Sequence, residues 1–177
     1  MAEEIKEKWT TYLALTTVLI AVCATLSTFK GGGYGSKSLM NQTLASDQWS
    51  LYQSKSIKSY IFENQIDNLD IQKDLVAPTN KEAIAKYQAK IDNYKEKLSQ
   101  YDKDKAVSMK KARAYEDDSK MCKTHGDAFG IAVIFLQISI LLSSIAALTK
   151  RKMVWYFSLM VGVVGVFYFF NGFFLFV

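Results

Sequence analysis

The chain has 177 residues, half of them hydrophobic, with 22 Lys/Arg against 17 Asp/Glu and a formal charge of +5. Its near-zero mean hydropathy averages two unlike materials, apolar ends and a polar middle, which is not the pattern of a water-soluble globule. Residues 30–127 hold 17 Lys/Arg and 14 Asp/Glu with the signs interspersed, not the one-sign patch that nucleic acid requires.

Residues 1–8 are polar and of mixed sign. Residues 9–29 carry no charge and, at 21 residues, are long enough to cross a hydrocarbon core. This run exceeds a signal-peptide core of about 7–15 residues and lacks a small-x-small cleavage site. Val22 before Cys23 is not the small residue that a lipoprotein site wants. An uncleaved transmembrane helix is therefore predicted. Ala14, Thr17 and Ala21, followed by Ala24 or Thr25 and Thr28, recur at helical spacing and predict a close-packing stripe. Leu13, Leu19, Ile20 and Leu26 are assigned to lipid on the opposite face. Trp9 and Tyr12 at one end, Phe29 and Tyr34 at the other, suit interfacial belts.

Gly31-Gly32-Gly33-Tyr34-Gly35 is the strongest breaker in the chain and predicts an elbow at the membrane surface. It is no phosphate loop, because Ser36 separates Gly35 from Lys37 and no strand precedes it. Residues 30–127 are predicted to form a long antiparallel helical hairpin outside the membrane, turning near 77–80 at Pro78, the single proline. On the first arm Leu39, Trp49, Tyr52, Ile57, Ile61, Ile66 and Leu69 mark one broad, irregular apolar face. Thr79 and Glu82 have the spacing of a capping box. On the second arm Ile84, Tyr87, Ile91, Tyr94, Leu98 and Tyr101 alternate by three and four, a coiled-coil seam. Glu82/Lys86 and Glu116/Lys120 form pairs at i,i+4 on a solvated surface.

Cys122-x-x-His125 is one ligand pair where zinc sites use two, so no metal is predicted, and His125-Gly126-Asp127 is read as the bend into the bilayer. Cys23 and Cys122 make no disulfide framework. Gly126 and Gly130 form a G-x-x-x-G where the second span, residues 128–148, begins. Gln137 near its middle is expected either to bond Thr16 or Thr17, or to line the axis of a symmetric oligomer. Ser139, Ser143 and Ala147 add a further small-residue stripe. Lys150-Arg151-Lys152 lies in a short turn, residues 149–153, which the positive-inside rule makes cytoplasmic. Residues 154–177 form the third span, with Gly162, Gly165, Gly172 and Asn171. The N-terminus then lies inside and the hairpin outside.

Residues 9–33 (WTTYLALTTVLIAVCATLSTFKGGG), 45–49 (ASDQW) and 52–58 (YQSKSIK) resemble a bacterial membrane family, domain of unknown function 4337. The resemblance implies a bacterial inner-membrane protein, in which the hairpin that the basic turn puts outside would be periplasmic, and brings no activity, cofactor or catalytic residues.

The fold class expected is an all-α membrane protein: three transmembrane helices with the hairpin between the first and second. The three spans contain no Asp, Glu, Lys, Arg or His, which argues against an ion-coupled transporter. The single histidine has no second catalytic group fixed beside it, so no enzyme, catalytic residue or cofactor is predicted. The function expected is a homo-oligomeric scaffold or adaptor, in contact with membrane lipids and another envelope protein. The alternative is an oligomeric channel or small-solute conduit. Residues 41–58, with Ser46, Asp47, Gln48, Trp49 and Tyr52, are the first candidate contact segment, against packing within the hairpin.

Overall fold

A computed structural model describes residues 8–176, and the side chains of residues 9–176. The segment predicted as the N-terminus, residues 1–8, lies outside the described residues except for the backbone of Lys8. Three helices make up the structure: α1 (Lys8–Asp74), α2 (Lys81–Thr149) and α3 (Lys152–Phe174), with no strand among the described residues. All three are long and apolar enough to cross a membrane.

The glycine cluster does not break α1, which stays helical from Gly31 through Gly35. This corrects the predicted elbow. None of the glycines has a positive φ; one of them instead gives room for a neighbour. A Cβ on Gly31 would stand 3.1 Å from Cβ of Phe129 and 3.7 Å from the Gly126 carbonyl oxygen. Packing of α2 against this stretch offsets a helix cost of roughly 1 kcal/mol per glycine. Nor does the bend expected at His125-Gly126-Asp127 interrupt α2, which stays helical through it.

The chain divides into two units, Met1–Met40 with Asp118–Val177, and Asn41–Asp117. In the first, Ile20, Ala24, Phe129, Ala132, Leu136 and Phe169 form one core cluster, and Trp9, Leu13 and Ala146 a second. Leu13 and Ile20, assigned to lipid from the sequence, are thus core residues, while Leu19 and Leu26 are exposed. The buried face of α1 runs Trp9, Leu13, Ile20, Ala24, Ser27, a stripe of mixed sizes at steps of four, seven, four and three. Size alone did not reveal it, because large residues fill gaps that small ones leave.

Helix α3 lies against α2 through its glycines. A Cβ on Gly165 would meet Leu136 Cγ at 2.7 Å, and one on Gly172 would meet the Phe129 ring at 2.8 Å. Only Lys150 and Arg151 separate α2 from α3, and Lys150 takes a left-handed φ of 53° to make the reversal. Near this turn Trp9 and Trp155 approach with ring centroids 6.3 Å apart, and Lys152 Nζ lies 5.9 Å from the Trp9 centroid.

In the second unit, α1 and α2 touch in inverse chain order. Trp49 meets Glu116, Lys55 meets Asp104, Phe62 meets Tyr101 and Tyr94, and Lys73 meets Gln88. Residues 75–80 join them. The cap of α2 is Asn80, not the predicted Thr79: Asn80 Oδ1 accepts the Ala83 N–H at 3.2 Å. Asn satisfies an orphan donor as well as Thr does, and Glu82 pairs with Lys86 at 2.7 Å.

Candidate functional site

No cluster of three or more His, Cys, Asp or Glu able to hold a metal occurs among the described residues. Each unit has its own set of polar and aromatic contacts.

In the first unit, polar side chains tie the helices together. Ser139, Ser143 and Ser158 are fully buried and share one network between α2 and α3. Ser139 Oγ donates to the Ser158 carbonyl at 2.8 Å, Ser158 Oγ donates to the Ser139 carbonyl at 2.9 Å, and the Ser143 and Ser158 hydroxyls are 2.7 Å apart. Helix α1 joins α2 through Ser38 and Ser119, each hydroxyl donating to the other's carbonyl at 2.9 Å. It joins α3 through Trp155, whose Nε1 donates to Thr16 Oγ1 at 3.3 Å. His125 stacks on Tyr34 at 4.7 Å and its Nδ1 is 2.8 Å from the Gly172 carbonyl oxygen, a donor's place. Hydroxyls and small residues are how helices associate where lipid removes the hydrophobic drive.

The sequence-predicted membrane residues are spread over this unit. Thr17 and Ala21 are half-buried and Ala14 is exposed. A Cβ on Gly126 would stand 3.6–3.7 Å from Gly31, Gly35 and Tyr34, whereas one on Gly130 would find nothing within 4 Å. Gln137 does not bond the threonines, contrary to the first of the two expectations. Thr17 Oγ1 donates back to the Leu13 carbonyl at 2.8 Å, Thr16 Oγ1 to that of Tyr12 at 2.9 Å, and Gln137 is exposed. Gly130, Gln137 and Ser144 follow one another at steps of seven and are all exposed, so they share an outward face of α2. Ala147 is exposed as well.

In the second unit Ile91 is fully buried, while Ile84, Tyr87, Tyr94, Leu98 and Tyr101 are half-buried. Opposite them stands Phe62, which the sequence reading passed over. Its ring centroid lies 5.2 Å from that of Tyr94 and 5.8 Å from that of Tyr101, with Lys97 Nζ 5.6 Å away. Its signal was a heptad through Tyr52, Ser59, Phe62, Ile66 and Leu69, hidden because Ser59, though buried, is polar. Within the candidate contact segment, Trp49 donates from Nε1 to Glu116 Oε1 at 2.8 Å and meets Tyr52 edge-on at 5.6 Å. Those two residues are part of hairpin packing; Ser46 and Asp47 remain exposed.

The first arm's single apolar face is in fact two. Trp49, Tyr52, Ile66 and Leu69 are buried or half-buried, but Ile57 and Ile61 are exposed, with Tyr60 and Ile71 beside them. Among charged groups, the hydrogen bond from Lys73 holds the Asp70 carboxyl below the usual carboxylate range and in turn raises the Lys73 ammonium. Asp102 raises Lys105 in the same way.

The family model described as Domain of unknown function (DUF4337) matches residues 9–175, and the chain belongs to that family. No curated protein and no solved structure matches it.

Proposed function

We propose that this member of the DUF4337 family is a non-enzymatic, homo-oligomeric membrane scaffold that presents an antiparallel coiled-coil hairpin for contact with another envelope protein. The inverse order of contacts between the two arms supports the hairpin. The basic turn at Lys150–Lys152 supports a cytoplasmic turn and a periplasmic hairpin, and the likeness of residues 9–58 to a bacterial family supports an inner membrane as its site.

The observation that carries the oligomer is the outward face of α2. Gly130, Gln137 and Ser144 repeat at steps of seven among exposed Ile134, Leu141 and Leu148. An amide facing hydrocarbon is costly without a partner, and a glycine with no neighbour leaves space for a close one. A second copy supplies both. The mass of the full chain in native lipid nanodiscs tests this: a discrete multimer is expected, and a monomer refutes it. Gln137→Leu should weaken the multimer by about 0.6–2 kcal/mol for each interhelical bond lost.

The same face supports a second reading, a conduit in which Gln137 and Ser144 line an axis between copies. Ion or solute flux through proteoliposomes separates the two. A scaffold gives none above empty vesicles; a conduit gives flux that Gln137→Leu changes.

A further inference from the structure

The outward face of the first arm carries an apolar stripe that no other described residue covers. Ile57, Ile61, Ile71 and Leu75 are 60, 49, 61 and 81% exposed, and Tyr60 is 65% exposed. Ile57, Ile61 and Ile71, with Leu75 just past the end of α1, fall on one frame, 57–61–64–68–71–75, whose steps alternate four and three and whose two middle places are Asn64 and Asn68, both exposed; Tyr60 flanks it. At about 100° per residue this stripe lies roughly opposite the inner face of Tyr52, Phe62, Ile66 and Leu69. A solvated helix back has no reason to keep a coiled-coil frame over more than two heptads.

Resting on the homo-oligomeric reading above, we propose that this stripe is the seam between copies of the chain: first arms run parallel and in register, each residue level with its equivalent, with the second arms outside. Three considerations fix the occupant. Spans anchored in one membrane hold every copy in the same sense and at the same depth, so a parallel seam without stagger needs no adjustment. The flanking residues agree with it. Parallel pairing brings Tyr60 towards Gln65 and Asp67 towards Gln72 of the next copy, so no like charges meet.

The third consideration is area. A covered aliphatic side chain removes on the order of 60–120 Å² from water, so the five residues offer roughly 400 Å², about half of what each partner buries in a stable interface. That is too little to capture a protein from solution. It is enough for copies that their spans already keep at high local concentration. Within the frame, Ile61 and Leu75 take one core position and Ile57 and Ile71 the other, a set that favours three or more strands over two, while the asparagine layers fix register at a cost in stability.

The test uses the full chain in native membranes with Cys23 and Cys122 replaced by alanine. Single cysteines are placed at Ile61→Cys, Asn68→Cys and Leu75→Cys, and at Ser99→Cys on the exposed back of the second arm. Mild oxidation should link copies at the three stripe positions at least about tenfold faster than at Ser99, because a disulfide needs Cα atoms within about 7 Å. Equal rates at all four sites, or none at the stripe, overturn the seam. Masses of the same preparations in nanodiscs keep the two readings apart. A multimer without stripe cross-links sinks the seam and leaves the scaffold; a monomer sinks both; a cross-link to a foreign protein overturns the seam.

Discussion

Between residues 41 and 74 the first arm exposes Leu51, Ile57, Tyr60, Ile61 and Ile71, whereas between 81 and 117 the second exposes, among large apolar residues, Val107. Both arms bury a comparable inner face, through Ile66 on one and Ile91 on the other. They differ on their backs. The second arm's back is Lys, Glu and Asp at high density, such as Lys95, Glu96 and Lys103, and needs only water. The first arm's back carries Ile57, Ile61 and Ile71 at coiled-coil spacing around Asn64 and Asn68, and water is a poor match for the isoleucines. A helix apolar on one face is a wall; a helix apolar on two faces is a partition, with a neighbour on each side.

The contrast between inner and outer faces can be broken most severely at Ile91. Ile91→Ala should cost about 2–5 kcal/mol, seen as a lowered unfolding midpoint in helical circular dichroism. The same truncation outward, Ile57→Ala with Ile71→Ala, should leave the unfolding of a dissociated single chain within about 0.5 kcal/mol of the parent. It should shift the nanodisc mass distribution towards smaller species. If both changes lower single-chain stability equally, the two faces are not distinct.

A smaller effect is expected at the bond joining the arms. Trp49→Phe removes the donor to Glu116 and should cost about 1–2 kcal/mol, since hydrogen bonds to charged groups are the stronger ones and this site is half-buried. Glu116→Gln should cost less than Trp49→Phe, because an amide oxygen still accepts. The smallest effect belongs to Asp70 and Lys73. Asp70 has a folded pKa below its unfolded one, so its contribution is present above the unfolded carboxylate pKa and is lost as pH falls through the folded value. Lys73 has a raised folded pKa, so its contribution is present below the unfolded lysine pKa and is lost as pH rises through the folded value. Unfolding midpoints of Asp70→Asn and the parent should therefore converge in acid.

How far the sequence could be read follows from how many faces each helix uses. The second arm has a single buried stripe, and Ile84 through Tyr101 could be picked out by spacing alone. The first arm has two stripes on opposite sides, so their superposition looked like one irregular face and Phe62 was lost in it. The three apolar runs were plain from length and charge. Which side of each run faces its neighbours was not, because in lipid both sides are apolar and only size and hydrogen bonding tell them apart. Gly31 illustrates this: read locally it breaks a helix, but Phe129, nearly 100 residues away in the chain, is what calls for it.

The serine network has a consequence for how the molecule is made. Ser139, Ser143 and Ser158 satisfy one another across two helices joined by only two residues. Their hydroxyls, each costly to carry bare into hydrocarbon, are matched within the α2–α3 pair without help from α1. The last two spans therefore suit delivery into the bilayer as one prepaired piece. Replacing all three serines by alanine should leave each segment apolar enough to insert alone, so cross-linking of α2 to α3 during synthesis should fall while insertion itself persists.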